Sequence, residues 1–497
     1  MKLYWGDLHN HCNITYGFGS LENAMELAKT QLDFVAITGH AMWPDIYERT
    51  PETEFLIDFH LDGFKKLRRN WPKVRKFVAE NNRDHEFVTF QAYEMHSSIY
   101  GDHHFVTPDD RLQLFEASNP KEWVGNSGLD KVIAIPHHIA YTPGYRGINW
   151  NAFDEKISPV VEVISKHGCS MSDMSPYNYY HNMGPRDSRN TAYAGLKQGY
   201  KFGFVGSTDH HAGYPGSYGD GRLAVLAEEK TRESIWNAII NRHTYALTGD
   251  KIKVNFTIND NPFGSEINAG ANRDIRLDVS ACDYIDKIVV YKNLKPYQVI
   301  CGENIPCNGN SKRFKIRVEM GWGKPNLSYK WEGTFKVSSG KIISIEPCFR
   351  GRSVLSPQQD ENYDNTVNDI CDKILEIDEN QVKWICETFK NISPLHPQTS
   401  AMIFEVDGSS DTLIDINLNG RQKQITIGQL LNGSITDQMM PYNSQAFIIH
   451  RAIPQEQYDV CYSWKDMYPE NDCDIYHVEI KQANGQCAWI SPIYVNN

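Results

Sequence analysis

Short apolar segments that end in an ionisable residue recur through the first half of the chain, and this recurrence limits the possible folds. Such segments occur at 34–38, 87–94, 132–135, 160–164 and 202–206, and each ends at, or leads into, histidine, glutamate or aspartate. Sequences compatible with helices lie between or beside them, at 21–28, 58–82, 191–199 and 232–242. This alternation predicts an α/β fold with parallel strands joined by helical crossovers.

The ionisable ends of these segments predict a common site. In α/β barrels the carboxyl ends of the strands surround one face, where active sites are built. Residues that are far apart in the sequence can therefore meet in one cluster. We predict that residues 1–249 form a distorted, TIM-like βα barrel with its site on that face.

The pattern changes near residue 251. Segments 251–258 and 274–279 alternate apolar and polar residues with a period of two, as β-strands do when one face is buried. Further strand-like segments follow at 288–291, 314–318 and 477–480, between turns rich in Gly, Asn and Pro. We predict that residues 250–497 form a β-rich, sandwich-like domain. The segment 356–400 receives no assignment.

Composition excludes several classes of protein. The 497 residues carry a net charge of −12, which argues against a nucleic-acid partner because such proteins need a basic face. No apolar run approaches the ~18–20 residues that span a membrane, so no membrane partner is expected. Eleven scattered cysteines and no leader-like N-terminus indicate a reduced, cytoplasmic protein.

The histidines are concentrated in the first half of the chain. Of 18, only His396, His450 and His477 follow residue 250. Before the first helix-like segment stands His9-Asn10-His11, and in an extended segment the side chains at positions i and i+2 point the same way. His9 and His11 can therefore present two imidazoles to one metal ion. For an isolated pair, two merely structural histidines would be the more common explanation.

The whole set of motifs resembles a known family. In order and setting it is similar to the motifs of the PHP metallohydrolases, and most to the branch with carbaryl-hydrolase-like enzymes. Two further segments, 162–168 and 485–492, support that branch. The motifs that carry the resemblance are His9-x-His11, His40, Glu94, Gly101-Asp102-His103-His104, Pro136-His137-His138 and Asp209-x-His211.

The resemblance implies a PHP-type barrel with two or three divalent metal ions, and Zn, Mn or Fe all suit its ligands. One ion would be bound by His9, His11, Glu94 and Asp209. A second would share Glu94 and add His103 or His104 and His138 or His137. A third would use His40 and His211.

The chain departs from the family pattern at the third site. Five residues after His11, where the family commonly has Asp or His, stands Tyr16, and Gly39 replaces an Asp often found before the next histidine. Tyrosine is a poor ligand at neutral pH because its pKa is near 10. We therefore expect a two-metal centre and a weak or absent third ion.

The implied chemistry is hydrolysis of a small molecule by a metal-bridged hydroxide. The bond would be a phosphoester or a carboxyl-type ester, carbamate or amide. Asp209, His138 and His167 are the candidate catalytic residues. The candidate substrate contacts are Arg146, Arg186, Arg189 and Glu162, because guanidinium groups bind phosphate or carboxylate bidentately; a hydrogen-bonded structural role for Glu162 and His167 is equally open.

Two other classes of function remain open from the sequence. The β-rich half suits a non-catalytic carbohydrate- or surface-binding protein with a vestigial barrel. Alternatively, the histidines form a closed structural metal site in a scaffold protein, which would unfold when stripped of its metal.

Overall fold

The structure is a computed structural model that describes residues 1–177, 179, 184–307, 309, 311–323, 328–352, 354, 370–389 and 398–497. Part of the unassigned segment 356–400 lies outside these residues. The described part contains six α-helices: α1 (Leu21–Gln31), α2 (Glu54–Asn81), α3 (Pro120–Asn126), α4 (Ala192–Lys197), α5 (Arg232–Ile240) and α6 (Ile427–Asn432).

The first half of the chain contains eleven strands among its described residues. They are β1 (Lys2–Asp7), β2 (Phe34–Ala36), β3 (Gly39–Met42), β4 (Val88–Met95), β5 (His103–Thr107), β6 (Ile133–Pro136), β7 (Val160–Ser165), β8 (Gly168–Cys169), β9 (Gly203–Gly206), β10 (Arg222–Ala227) and β11 (Thr244–Leu247). All five predicted apolar segments form strands, namely β2, β4, β6, β7 and β9.

The second half is built from strands, as the period-two alternation predicts. They are β12 (Lys253–Ile258), β13 (Asn261–Pro262), β14 (Glu266–Asn268), β15 (Arg273–Ser280), β16 (Ile285–Lys292), β17 (Lys295–Cys301), β18 (Arg313–Trp322), β19 (Tyr329–Ser338), β20 (Lys341–Cys348), β21 (Lys373–Ile377), β22 (Gln381–Thr388), β23 (Ser400–Asp407), β24 (Leu413–Leu418), β25 (Arg421–Thr426), β26 (Ile435–Gln438), β27 (Gln445–Ile449), β28 (Ile453–Pro454), β29 (Asp459–Asp466), β30 (Cys473–Gln482) and β31 (Cys487–Asn496).

A mixed sheet of thirteen strands carries most of the motifs. Its order is β17-β16-β30-β31-β11-β10-β1-β2-β4-β5-β6, with β14 beside β31 and β3 beside β4. Strands β1, β2 and β4 are parallel, but β5 lies antiparallel between β4 and β6. The seven residues between β4 and β5 are too few for a crossover helix, so the chain turns back directly.

Strands β7 and β9 are parallel but belong, with β8, to a separate three-stranded sheet. Side-chain hydrogen bonds connect it to the large sheet: the Thr244 hydroxyl donates to Phe204 O at 2.9 Å, and Phe204 N donates to the Ser491 hydroxyl at 2.7 Å. Leu8, Val160, Val205 and side chains from β2, β4 and β6 share one buried core. The described residues thus form a mixed α/β arrangement, and a TIM-like closure of all strands is not shown.

Helices α1, α2, α3 and α5 pack on strands of the large sheet. In α1, Leu21, Ala24, Met25 and Ala28 are buried at helical spacing, and the Ser20 side chain caps the helix by accepting from Asn23 N at 3.0 Å. In the described residues, no helix is both long and apolar enough to cross a membrane.

A β-sandwich forms the centre of the second half. A six-stranded sheet (β20-β23-β18-β27-β26, with β28) and a five-stranded sheet (β21-β22-β19-β24-β25) bury one apolar core between them. In that core the rings of Phe335 and Phe404 stack with centroids 3.8 Å apart. A four-stranded sheet, β13-β12-β15-β29, shares a second core with the large sheet.

Strands from the second half also complete the large sheet. Strand β31 pairs antiparallel with β11, where Tyr245 lies opposite Ile490. Strands β30, β16 and β17 extend the sheet beyond it. The division at 249/250 stays a prediction, and hydrogen bonding continues across it.

Candidate metal centre

Two loops, after β1 and after β9, bring His9, His11 and Asp209 together. The buried Asp7 carboxylate accepts hydrogen bonds from the Thr208 hydroxyl at 2.5 Å and from Gly216 N at 2.9 Å. The backbones also pair, because Asp209 N donates to His9 O at 2.8 Å. Asp209 has a φ of +47°, a conformation that Asp tolerates better than most residues and that is common at functional sites.

Four ligand atoms converge in the first group. His9 Nε2 and His11 Nε2 are 3.2 Å apart, and Asp209 Oδ1 lies 3.3 Å and 3.0 Å from them. Glu94 Oε2 lies 3.5 Å from His9 Nε2 and 3.3 Å from His11 Nε2. These are the four residues predicted for the first ion. Glu94 Oε2 has no well-directed hydrogen bond among the described residues, although it is buried.

Glu94 also reaches a second group. Its Oε1 atom lies 3.2 Å from His137 Nε2, and the register of β4 and β5 places His104 directly opposite Glu94. His9, His104 and His137 offer nitrogen atoms within 4.8 Å of one another. His104 Nε2 is buried without a hydrogen-bond partner in the described part of the chain. Glu94 can therefore bridge two cations.

The sequence left His103 or His104, and His137 or His138, as alternatives. His104 and His137 face Glu94. His103 hydrogen-bonds Gly101 O at 2.9 Å and lines a neighbouring cavity of about 310 Å³. His138 Nε2 lies 3.4 Å from Asp102 Oδ2, and Asp102, His137 and His138 form a further ligand-type group.

His40 and His211 lie beside the first group, as predicted for a third ion. Their Nε2 atoms are 3.3 Å apart, and the rings of His11 and His40 stack with centroids 4.0 Å apart. The ring of Tyr16 stacks on the ring of His40, with centroids 4.0 Å apart. Burial raises the pKa of Tyr16 well above its usual value, so it stays a phenol.

Two predicted residues lie behind ligands. Glu162 Oε2 is 3.0 Å from His9 Nδ1, which leaves His9 Nε2 facing the first group. His167 Nε2 is 2.8 Å from Asp209 Oδ2, on the carboxylate oxygen that does not face His9. A carboxylate that contacts the far nitrogen of a metal-binding histidine, as Glu162 contacts His9, fixes the tautomer of that histidine. Burial raises the pKa of Glu162 to about 7.

The three predicted arginines have other partners. Arg146 is buried and donates through Nε to Asp102 Oδ2 at 2.7 Å. Arg186 donates to backbone carbonyls, including Cys169 O at 2.9 Å. Arg189 is largely exposed and pairs with Asp187 at 2.6 Å. Their role in substrate binding stays a prediction.

Two residues of the cluster were not assigned from the sequence. His96 Nε2 lies 3.0 Å from His40 Nδ1, and Asp102 Oδ2 lies 3.0 Å from His96 Nδ1. Asp102 also accepts from Ser97 N at 3.0 Å. The spacing Glu94-x-His96 repeats that of His9-x-His11, and this signal could have identified His96.

The electrostatics of the cluster suit a cation. Burial lowers the pKa of His104, His137 and His211 well below the usual value, which keeps them neutral with a lone pair available. Burial also opposes a charge on His9, but Asp209 and Glu162 outweigh it and raise its pKa well above the usual value. A divalent cation bound between these carboxylates would take the place of that proton.

The donor set therefore fits divalent metal ions. It combines imidazole nitrogens with two buried carboxylates, contains closely facing nitrogen atoms, and includes buried ligand atoms without hydrogen-bond partners. Zn, Mn and Fe all accept such ligands.

Comparison with known proteins gives relatives without an established activity. Residues 217–268 match a family described as a protein of unknown function, DUF3604. An uncharacterized protein of Chlamydia trachomatis is 32% identical over 321 residues, which are 59% of this chain and 48% of that protein. An uncharacterized protein of Chlamydia pneumoniae is 26% identical over 249 residues, 45% of this chain and 39% of that protein. The chain thus spans less than half the length of these relatives.

One solved structure is similar over much of its length. It is a two-domain protein from Bacteroides vulgatus that contains a predicted PHP-like metal-dependent phosphoesterase. The match covers 60% of this chain and 85% of that chain, with 12% identity and a TM-score of 0.31. A similarity at this level does not establish a common fold.

Proposed function

We propose that this protein is a metal-dependent hydrolase that binds two divalent cations, Zn, Mn or Fe, and cleaves a phosphoester or a carboxyl-type ester, carbamate or amide in a small molecule. One observation carries the proposal: His9, His11 and Asp209 converge with a buried Glu94 that reaches a second histidine group. A PHP-type barrel and a cytoplasmic location belong to the same proposal.

When bound, two adjacent divalent cations activate water and polarise the group under attack. The chain's own residues position that centre. Glu94 places one carboxylate oxygen toward each ligand group. His167 contacts the outer oxygen of Asp209 and is the candidate to accept or return a proton there. His138, held by Asp102, is the second candidate.

Metal analysis combined with a substrate panel tests the proposal. Metal-free protein is reconstituted with Mn, Zn or Fe, and its turnover of chromogenic phosphate, carboxylate and carbamate esters is measured. We expect at least two ions per chain and turnover of one ester class. Glu94→Gln should lose both, because Glu94 serves both ligand groups. His243→Gln is the control, since His243 belongs to neither group. Protein that binds no metal would contradict the proposal.

A structural metal site is the second candidate, because the ligands are buried: His9 and His11 are 0% exposed and Glu94 is 2% exposed. Structural sites are closed, and losing the metal unfolds such proteins. Circular dichroism after chelation separates the two functions. A hydrolase should keep its secondary structure without metal, whereas a structural site should not.

A further inference from the structure

A further group of buried ligand atoms lies on the far side of His40 from His211. His96 Nε2 lies 3.0 Å from His40 Nδ1 and 3.2 Å from the Tyr16 hydroxyl oxygen. His40 Nδ1 also lies 3.0 Å from Glu94 Oε2. His40, His96 and Glu94 are each only 2% exposed. Two imidazole nitrogens and a carboxylate oxygen therefore converge where water has little access.

Asp102 supports His96 from behind. Its Oδ2 atom lies 3.0 Å from His96 Nδ1, and Arg146 holds the carboxylate through a hydrogen bond of 2.7 Å. When the Nδ1 proton of His96 points to Asp102, the lone pair of Nε2 points to His40. This arrangement of carboxylate, histidine and metal site is common in metalloproteins.

A competing arrangement comes from Arg146, whose Nη2 atom lies 2.7 Å from His96 Nδ1. If Arg146 donated to that nitrogen, His96 Nε2 would carry the proton and would donate to His40 or Tyr16. The short distance between His40 Nδ1 and His96 Nε2 would then be a hydrogen bond. Glu94 Oε2, however, would keep its place beside His40 without a well-directed hydrogen bond.

We propose that His40, His96 and Glu94 form a third cation site, distinct from the pairing of His40 with His211, and that it binds a divalent metal of the Zn or Co type. Three protein ligands are the number found in catalytic zinc sites, where water or substrate is the fourth ligand. The proposal rests on the proposed function, because Glu94 is shared with the two-ion centre.

Cobalt titration tests the third site. Metal-free protein is titrated with Co²⁺, and the bound metal is counted by elemental analysis and by its visible absorption. We expect three ions per chain in the wild type and two in His96→Gln. The matched control is His60→Gln, because His60 is buried beside His96 but hydrogen-bonds Leu56 O at 2.8 Å. That variant should bind three.

Asp102→Asn extends the test without removing any of the three ligands proposed for this site. Its third ion should bind about 10–100-fold more weakly, as expected for loss of the carboxylate behind a metal-binding histidine. Far-UV circular dichroism checks that each variant is folded. If His96→Gln does not fold, Asp102→Asn alone tests the site. An unchanged affinity of Asp102→Asn for the third ion would overturn the proposal.

The outcomes separate this proposal from the proposed function. Two ions in both the wild type and His96→Gln would overturn the third site and leave the two-ion hydrolase intact. A third ion lost in His211→Gln but kept in His96→Gln would also overturn it. A wild type that binds no metal would contradict the proposed function itself.

Discussion

Glu162 Oε2 lies 3.0 Å from His9 Nδ1, on the side of the imidazole opposite to the nitrogen that faces Asp209. The contact fixes which nitrogen of His9 is free to bind a cation. Glu162, predicted as a substrate contact, therefore lies behind a candidate ligand, and its role in substrate binding stays a prediction. Its neighbour on the strand, Val163, is buried in an apolar core, and the other residues of β7 are also buried.

Removing Glu162 should weaken metal binding. Glu162→Ala removes the acceptor for His9 Nδ1, so we expect metal affinity to fall about 10–100-fold. Glu162→Gln keeps an acceptor oxygen and should lose less. Competition with a chromogenic chelator measures both. Glu479→Gln is the control, because Glu479, in β30, accepts a hydrogen bond from the Tyr291 hydroxyl in β16 and belongs to none of the proposed ligand groups. Equal affinity in wild type and Glu162→Ala would show that Glu162 does not orient His9.

His167→Gln should separate catalysis from metal binding. His167 contacts the outer oxygen of the Asp209 carboxylate at 2.8 Å, and its ring packs edge-on against the rings of His138 and His211. If it transfers protons, kcat should fall roughly 100-fold or more while the number of bound ions stays that of the wild type. Steady-state kinetics and elemental analysis of the same sample provide both readouts. A lost ion with unchanged kcat per bound metal would assign His167 a positioning role.

Metal removal should lower the thermal stability of the wild type. A ligand that binds only the folded state at 100 times its Kd adds about 2.7 kcal/mol. Differential scanning fluorimetry with and without chelator should show that shift, and adding Zn or Mn should reverse it. His11→Gln should respond much less, because it lacks one ligand of the first group. The same response in both proteins would mean that the cation binds elsewhere.

Gly351→Ala should disturb the metal centre from the second half of the chain. An added Cβ would lie 2.5 Å from Tyr214 Cβ and 2.6 Å from His210 Cε1, next to Asp209 and His211. Overpacking of this kind costs about 1–3 kcal/mol. Denaturant unfolding measures the loss. Gly125→Ala has no atom within 4 Å and should be neutral or slightly stabilising. Equal stability of both variants would contradict the tight packing at Gly351.

The pH dependence of stability should change in Asp372→Asn. Burial raises the pKa of Asp372 to about 7 from a usual value of 3.8, although Tyr214 hydrogen-bonds to it. The folded protein therefore binds this proton more tightly, and the stability it contributes is lost as the pH rises from about 4 through 7. Relative to Asp372→Asn, the wild type should become less stable between pH 5 and pH 8. If the free energy of unfolding changes equally with pH in the wild type and in Asp372→Asn over that range, the raised pKa of Asp372 is contradicted.

The sequence predicts which side chains come together where the candidate ligands follow strand ends, and their binding of metal stays a prediction. His9, His11, Glu94 and Asp209 come together because each follows or ends a strand at one edge of the sheets. The choice between His103 and His104 could not be made from spacing, since it depends on which residue of β5 lies opposite Glu94. Register is a property of the paired strands, not of either one.

Other features depend on contacts that local patterns do not encode. His96 directly follows β4, but the predicted segment 87–94 ends at Glu94, and the strand-end argument therefore assigns Glu94 alone. Arg146 is predicted as a substrate contact, and its partner Asp102 lies 44 residues away in the sequence, so no local pattern indicates the pair. The period-two pattern correctly predicts strands after residue 251, yet alternation cannot tell which sheet a strand joins. For that reason the sequence pattern does not predict the pairing of β31 with β11.

That pairing has a consequence for how the protein matures. Strand β11 cannot gain its second neighbour until residues 487–496 have left the ribosome, after the whole sandwich has been synthesised. The nascent first half must therefore expose an open strand edge throughout that interval, which invites aggregation or chaperone binding. Shortening the chain at its carboxyl end would leave that edge exposed permanently, even though every proposed metal ligand would still be present.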